Sequence, residues 1–148
     1  MDHSAKTIPI ACDHGGYEMK EYIKAKLILR GWNVLDYGTD SPDSVDYPDL
    51  IHPLARDVNE AKYPMGIIIC GSGNGAQMVA NKYPNIRAAL CWNEEISRLA
   101  RQHNDANILS LPGRHISFES ALKITETFLF TAFEGGRHEA RVKKISRS

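Results

Sequence analysis

The stretch MGIIICGSGNGAQMVAN, Met65 to Asn81, decides the fold. Gly66-Ile67-Ile68-Ile69-Cys70 is a β-branched run without polar alternation. That is the pattern of a strand buried on both faces, as parallel strands are when helices cover both sides of their sheet. Cys70 closes the run. Gly71, Gly73 and Gly75 follow within five positions, free to take positive φ and to turn their amides inward, and a helix expected from about Ala76 adds its own unpaired N–H groups. A thiol at the lip of a ring of donors has the parts for removing a proton and for holding the oxyanion left behind.

Outward from that stretch, strand and helix patterns alternate. A first strand over 7–12 runs into the turn Asp13-His14-Gly15-Gly16 and a helix over 17–30, which Gly31 ends. A short strand over 32–36, a polar loop and a helix over 48–59 lead to the central strand, whose helix runs to Asn81. Then come a strand over 86–91, a helix from 93 to 102 or 103, a strand over 106–111, and a helix to about 130 with Ser117 as its N-cap. A last helix over 137–145 is too polar for the main core. The alternation predicts a five-stranded, mostly parallel sheet with right-handed crossovers, a Rossmann-like three-layer αβα sandwich with an extra C-terminal helix. Turns that follow parallel strands share the carboxyl edge, where open α/β sheets bind ligands. Asp13, His14, Cys70, the glycine turn, Cys91 and Arg114 are expected there.

With 148 residues and 43% hydrophobic content, the chain suits one domain, 1–148, with a core of its own. Zero formal net charge removes the basic field that nucleic acid or an anionic membrane would select. No apolar run approaches the roughly 20 residues of a membrane span, and the opening MDHSAKT lacks a signal peptide's pattern, so a cytoplasmic protein with small-molecule partners is expected. Cys12, Cys70 and Cys91 are three cysteines without C-x-x-C spacing, which speaks for free thiols and against a structural metal site.

Each motif has a bland alternative. Gly71 to Ala76 formally fits a dinucleotide fingerprint, but that motif belongs on the first strand and wants an acid ending the next, where this chain has Cys91 and Trp92. A tight turn without a ligand would not require three glycines. Cys70 could be an inert core thiol, as Cys12 and Cys91 are read, but only Cys70 precedes a donor turn that favours a thiolate. Asp13-His14 could be a helix cap and Arg101-Gln102-His103-Asn104-Asp105 a helix end, with His103 facing the dipole and Asn104 as a left-handed cap. Arg137 and Arg141, four apart, share a helix face and suit a phosphate dianion; otherwise they belong to a solvated basic tail with Lys143 and Lys144.

Taken together, CDHGG at Cys12 to Gly16, DYP at Asp46 to Pro48, ICGSGNG at Ile69 to Gly75, ANK at Ala80 to Lys82, RQHNDAN at Arg101 to Asn107 and EGGRHEARV at Glu134 to Val142 give the chain a close resemblance to the type B ribose-5-phosphate isomerases. The likeness runs from about Thr7 to Ile145, and galactose-6-phosphate and allose-6-phosphate isomerases share the scaffold. It implies aldose–ketose isomerisation through a cis-enediol without metal or organic cofactor, in the non-oxidative pentose phosphate branch. By the same resemblance Cys70 is the base between C2 and C1. Amides of Gly71, Ser72, Gly73, Asn74 and Gly75, with the Ser72 hydroxyl, hold the enediolate, and His103 is the acid that opens the furanose ring. Asp13 and Asn104 hold sugar oxygens, and His14, Arg114, Arg137 and Arg141 hold the phosphate with His138 beside them. Ser72 replaces the threonine of most cysteine-type members. Ala76 stands where another branch carries a glutamate base, which leaves the thiol as the base here.

Two other functions stay open at this point: the same chemistry on a six-carbon sugar phosphate, and a nucleotide-binding module without catalysis. Topology adds an expectation about assembly. Cys70 ends a strand, whereas His103 ends a helix that starts at the same edge and runs back about 15 Å. A site using both is expected to combine two chains, and the resemblance implies a homodimer, or a tetramer built from it, with sites at the interface. Residues 137–148 are expected to pack on the partner.

Overall fold

The computed structural model describes residues 6–146. Five strands, β1 (Thr7–Cys12), β2 (Asn33–Asp36), β3 (Gly66–Cys70), β4 (Ala88–Leu90) and β5 (Ile108–Pro112), form one all-parallel sheet in the order β2-β1-β3-β5-β4. The described residues also form six α-helices, of which the first four connect successive strands and the last two follow β5: α1 (Tyr17–Leu29), α2 (Tyr47–Asn59), α3 (Asn74–Ala80), α4 (Glu94–Asn104), α5 (Phe118–Phe130) and α6 (Arg137–Ile145). The glycine stretch thus lies on the central strand, with every residue of β3 buried.

Strand periodicity divides the core into two layers. Ile67 and Ile69 of β3 face one side, with Ile8, Ile10, Leu109 and Leu111, against Met19, Ile23 and Leu27 of α1 and Ile124 and Phe128 of α5. Ile68 and Cys70 face the other, with Ala11 and Ile108, against Ile51, Leu54 and Val58 of α2 and Ala76 and Ala80 of α3. Cys12 and Cys91 are buried in the first layer, as expected of core thiols. A fully buried charge interrupts it. Lys20 of α1 is fully enclosed and donates to both carboxylate oxygens of Asp36, at 2.8 Å each, and to the Thr39 carbonyl at 2.7 Å.

Several element ends differ from the expected ones, each for a local reason. The helix after β3 begins at Asn74 rather than Ala76, because left-handed Gly73 (φ 80°) serves as its N-cap and its carbonyl accepts the Gln77 N–H at 3.1 Å. Edge strand β4 spans three residues instead of six. Ile86 N–H goes to the Tyr83 carbonyl and Arg87 N–H to the Asn107 side chain, while Asn81 and Gln77 cover the free side of Ala88. Such side-chain pairing blunts an exposed edge. β5 starts two residues late because Ala106 N–H closes the end of α4 on the Ala100 carbonyl. There the left-handed residue is Asp105 (φ 47°), not Asn104, which is the last residue of the helix.

Candidate active site

Three loops meet around the end of β3. Asp13 N–H donates to the Ile69 carbonyl at 3.2 Å, Gly113 N–H to the Cys70 carbonyl at 2.8 Å and Arg114 N–H to the Gly71 carbonyl at 2.9 Å. The loops after β1, β3 and β5 are thereby tied together at the carboxyl edge. Arg114 lies along Gly71 and beside Gly15, so its guanidinium borders the glycine turn. His14 and Arg114 line one cavity of about 320 Å³ with Glu18 and Phe118. The Val45 amide donates to His14 Nδ1 at 3.2 Å, which fixes the ring and leaves Nε2 as its second polar atom. Asp13 is buried and its carboxylate accepts the Gly16 amide at 3.1 Å, so it does cap the short 3₁₀ turn over His14–Gly16.

Cys70 is 5% exposed, and its Sγ accepts the Gly73 N–H at 3.2 Å. The turn amides therefore divide their work. Gly73 serves the sulfur, Asn74 N–H donates to the Ser72 hydroxyl at 3.2 Å, and among the described residues the Ser72 and Gly71 amides have no intramolecular acceptor. A negative sulfur bonded by an amide is favoured over a neutral one. Burial pushes the Cys12 and Cys91 thiols up, each to about 12, against the Lys20 charge at Cys12 and a Ser97 contact at Cys91. Tyr47 packs over the glycine turn: its ring lies 2.6–2.8 Å from where a Cβ on Gly75 would stand, so only glycine fits beneath it. The DYP motif carried this residue in the sequence without disclosing the contact.

The second group lies elsewhere. Gly66 N–H, at the start of β3, donates to the Asn107 carbonyl just past α4, so the end of α4 sits at the amino edge of the sheet. Cys70 is four residues further along β3, about 13 Å away at strand spacing. At the amino edge His103 stacks on His138 of α6, with centroids 4.2 Å apart and planes at 15°, and its Nε2 lies 3.5 Å from a Glu134 carboxylate oxygen. Burial and the charges of His103, Arg137 and Arg141 hold the His138 pKa below the usual histidine value. Arg137 and Arg141 are exposed on the same helix. Asn104 and Trp92 instead line a cavity of about 580 Å³ along β4 that contains neither Cys70 nor His14. Within one chain, then, Asp13, His14, Cys70, the glycine turn and Arg114 are together. His103, His138, Arg137 and Arg141 form a separate group, and Glu134 joins it unforeseen.

Ligating atoms of His103, Glu134 and His138 lie within 4.8 Å of one another. Parallel ring planes send the two imidazole lone pairs past each other, so a common ion would require one ring to turn.

A sequence model described as Ribose/Galactose Isomerase matches residues 8–145. The ribose-5-phosphate isomerase B of Escherichia coli K12 is 40% identical over 141 residues, which cover 95% of each chain. Among solved structures, a ribose 5-phosphate isomerase from Thermotoga maritima superposes with a TM-score of 0.94 at 48% identity, covering 96% of this chain and 98% of its own. Ribose-5-phosphate isomerase B from Mycoplasma genitalium, solved with bound ribulose-5-phosphate, gives 0.91 at 41% identity, covering 95% and 94%.

Proposed function

The chain belongs to the ribose/galactose isomerase family, and on that premise we propose that its Cys70 site interconverts ribose 5-phosphate and ribulose 5-phosphate. The observation that carries this reading is the Cys70 sulfur, held at the end of the central strand by the Gly73 amide inside a turn with further donors.

The steps balance within the substrate and these side chains. His103 gives a proton to the furanose ring oxygen as the C1–O4 bond breaks, and the C1 hydroxyl returns a proton to His103 as the aldehyde forms. The Cys70 thiolate then takes the C2 proton, and the electron pair moves through C1=C2 onto O1. Ser72 and the free turn amides of Gly71 and Ser72 stabilise that developing charge, with Gly75 and Asn74 at the opening of the same turn. Return of the proton from sulfur to C1, with transfer of the O2 proton to O1, completes the ketose. No electrons enter or leave. Asp13 and Asn104 hold hydroxyls, and the phosphate is held by His14, Arg114, Arg137 and Arg141, with His138 supporting the arginines.

Cys70 and His103 lie at opposite edges of one sheet, which supports a homodimer in which each site takes Cys70, Asp13, His14 and Arg114 from one chain and His103, Asn104, Arg137 and Arg141 from the other. In this reading the chain is one isomerase domain of the cytoplasm, and α6 packs on the partner. Among the described residues no helix is long and apolar enough to cross a membrane.

The experiment is direct: ribose 5-phosphate is added to the purified protein and ribulose 5-phosphate is followed, beside allose 6-phosphate and galactose 6-phosphate. The reading expects the highest kcat/KM on the five-carbon sugar. A higher value on either hexose phosphate would reassign the substrate, and no turnover of any would leave a binding module.

A further inference from the structure

β5 reads ILSLP, and its one hydroxyl, on Ser110, is completely buried in an otherwise apolar strand. A buried hydroxyl is costly unless it is bonded. Ser110 Oγ donates to one acceptor, the Gly73 carbonyl, at 2.8 Å. Gly73 is the residue whose N–H reaches the Cys70 sulfur. With φ at 80° and no side chain, Gly73 is held by Leu90 and Leu111 packed on its Cα and by two bonds to its carbonyl, from Ser110 and from Gln77 N–H at 3.1 Å. The Gln77 bond belongs to α3 and moves with the turn. Ser110 alone of the two ties Gly73 to the sheet that also carries Cys70, with Ser110 paired to Ile68 two residues before it.

We infer that Ser110 is a positioning residue for the Cys70 base: its hydroxyl fixes Gly73 so that the Gly73 amide stays on the sulfur and favours the thiolate. Alanine would fill the same space with no need for a partner, so the hydroxyl is explained by what it holds. The inference rests on Cys70 being the base, but its first readout does not.

The test follows alkylation of Cys70 by iodoacetamide against pH in the full-length protein, with Cys70→Ala as the blank. In Ser110→Ala the alkylation curve moves to higher pH, and the rate on its rising limb falls about two- to tenfold, the worth of one neutral hydrogen bond. The plateau at high pH is unchanged. Ser110→Thr, which keeps the hydroxyl, restores the curve. The acid limb of the kcat profile moves in step, with KM for ribose 5-phosphate little altered. An unmoved alkylation curve in Ser110→Ala, even with a lowered melting temperature, reduces Ser110 to a structural residue and overturns the inference. A shifted alkylation curve with an unmoved kcat profile keeps the positioning role and counts instead against Cys70 as the base.

Discussion

In the proposed mechanism, replacing Cys70 by alanine removes the group that accepts the C2 proton and little that holds the phosphate. Turnover should fall by at least 10²- to 10⁴-fold, the usual worth of a positioned base, while sugar phosphate still binds. Exchange of the C2 proton with solvent measures the step itself, and near wild-type exchange in Cys70→Ala would point to another base. The Lys20–Asp36 pair makes a prediction about stability. Burial opposes the Lys20 charge most strongly, but the hydrogen bond to Asp36 together with the negative charges of Asp36 and Glu21 outweighs it and holds the pKa above the usual 10.5; burial likewise opposes the Asp36 charge, and hydrogen bonds from Lys20, the Gly38 amide and Lys24 together hold its pKa below 3.8. The lysine contribution is complete below 10.5 and is lost as pH rises through the raised value. The carboxylate contribution is complete above 3.8 and is lost as pH falls through the lowered one. Lys20→Met should therefore cost about 3 kcal/mol at pH 7, read by urea unfolding, with the deficit shrinking toward both extremes. At this scale the sequence disclosed Cys70 because a residue type and a turn type coincide. It hid Lys20, Ser110 and Glu134, whose partners lie on other elements and leave no local pattern.

Helix α6 is polar, rests on the end of α4 through the His138 stack, and presents Arg137 and Arg141 to the outside. Arg137→Ala and Arg141→Ala should each weaken productive binding of ribose 5-phosphate by about 2 kcal/mol or more, seen in kcat/KM, without changing the low activity on free ribose. Unchanged kinetics in both variants would leave α6 as a solvated basic helix. The glycine turn answers to different physics. A Cβ at Gly73 would stand 2.4 Å from Leu90 Cδ1 and 3.2 Å from the Leu111 backbone, at a φ that L-residues avoid. Gly73→Ala should thus cost about 1–2 kcal/mol in stability from the backbone alone, measured by thermal unfolding, and turnover should fall with it as the amide leaves the sulfur. All eleven principal elements were legible as periodic segments between turn residues, with β1, β3 and α6 correct to the residue. The ends of β4, β5 and α3 were not, because Asn81, Asn107, Ala106 and Gly73 make their bonds across turns, beyond the reach of periodicity.

For the whole molecule, the separation between the end of β3 and the end of α4 leads to a mixing experiment. Cys70→Ala and His103→Ala chains, each inactive, are dissociated, combined in equal amounts and reassociated. Half of the dimers then contain both kinds, and each of these has one intact site, so about a quarter of wild-type activity should return. Confirmed heterodimers that stay inactive would place Cys70 and His103 in one chain's site. The all-parallel order β2-β1-β3-β5-β4 was foreseeable as a class from the alternation, since crossovers constrain the choice. Which two edges flank the sheet was not, because nothing local records it. In the proposed dimer the opposite-edge placement also sets a rate law. If neither half-site works alone, dilution below the dimer dissociation constant makes activity rise with the square of chain concentration, and the enzyme becomes a counter of its own abundance, silent when its copies are too few to meet.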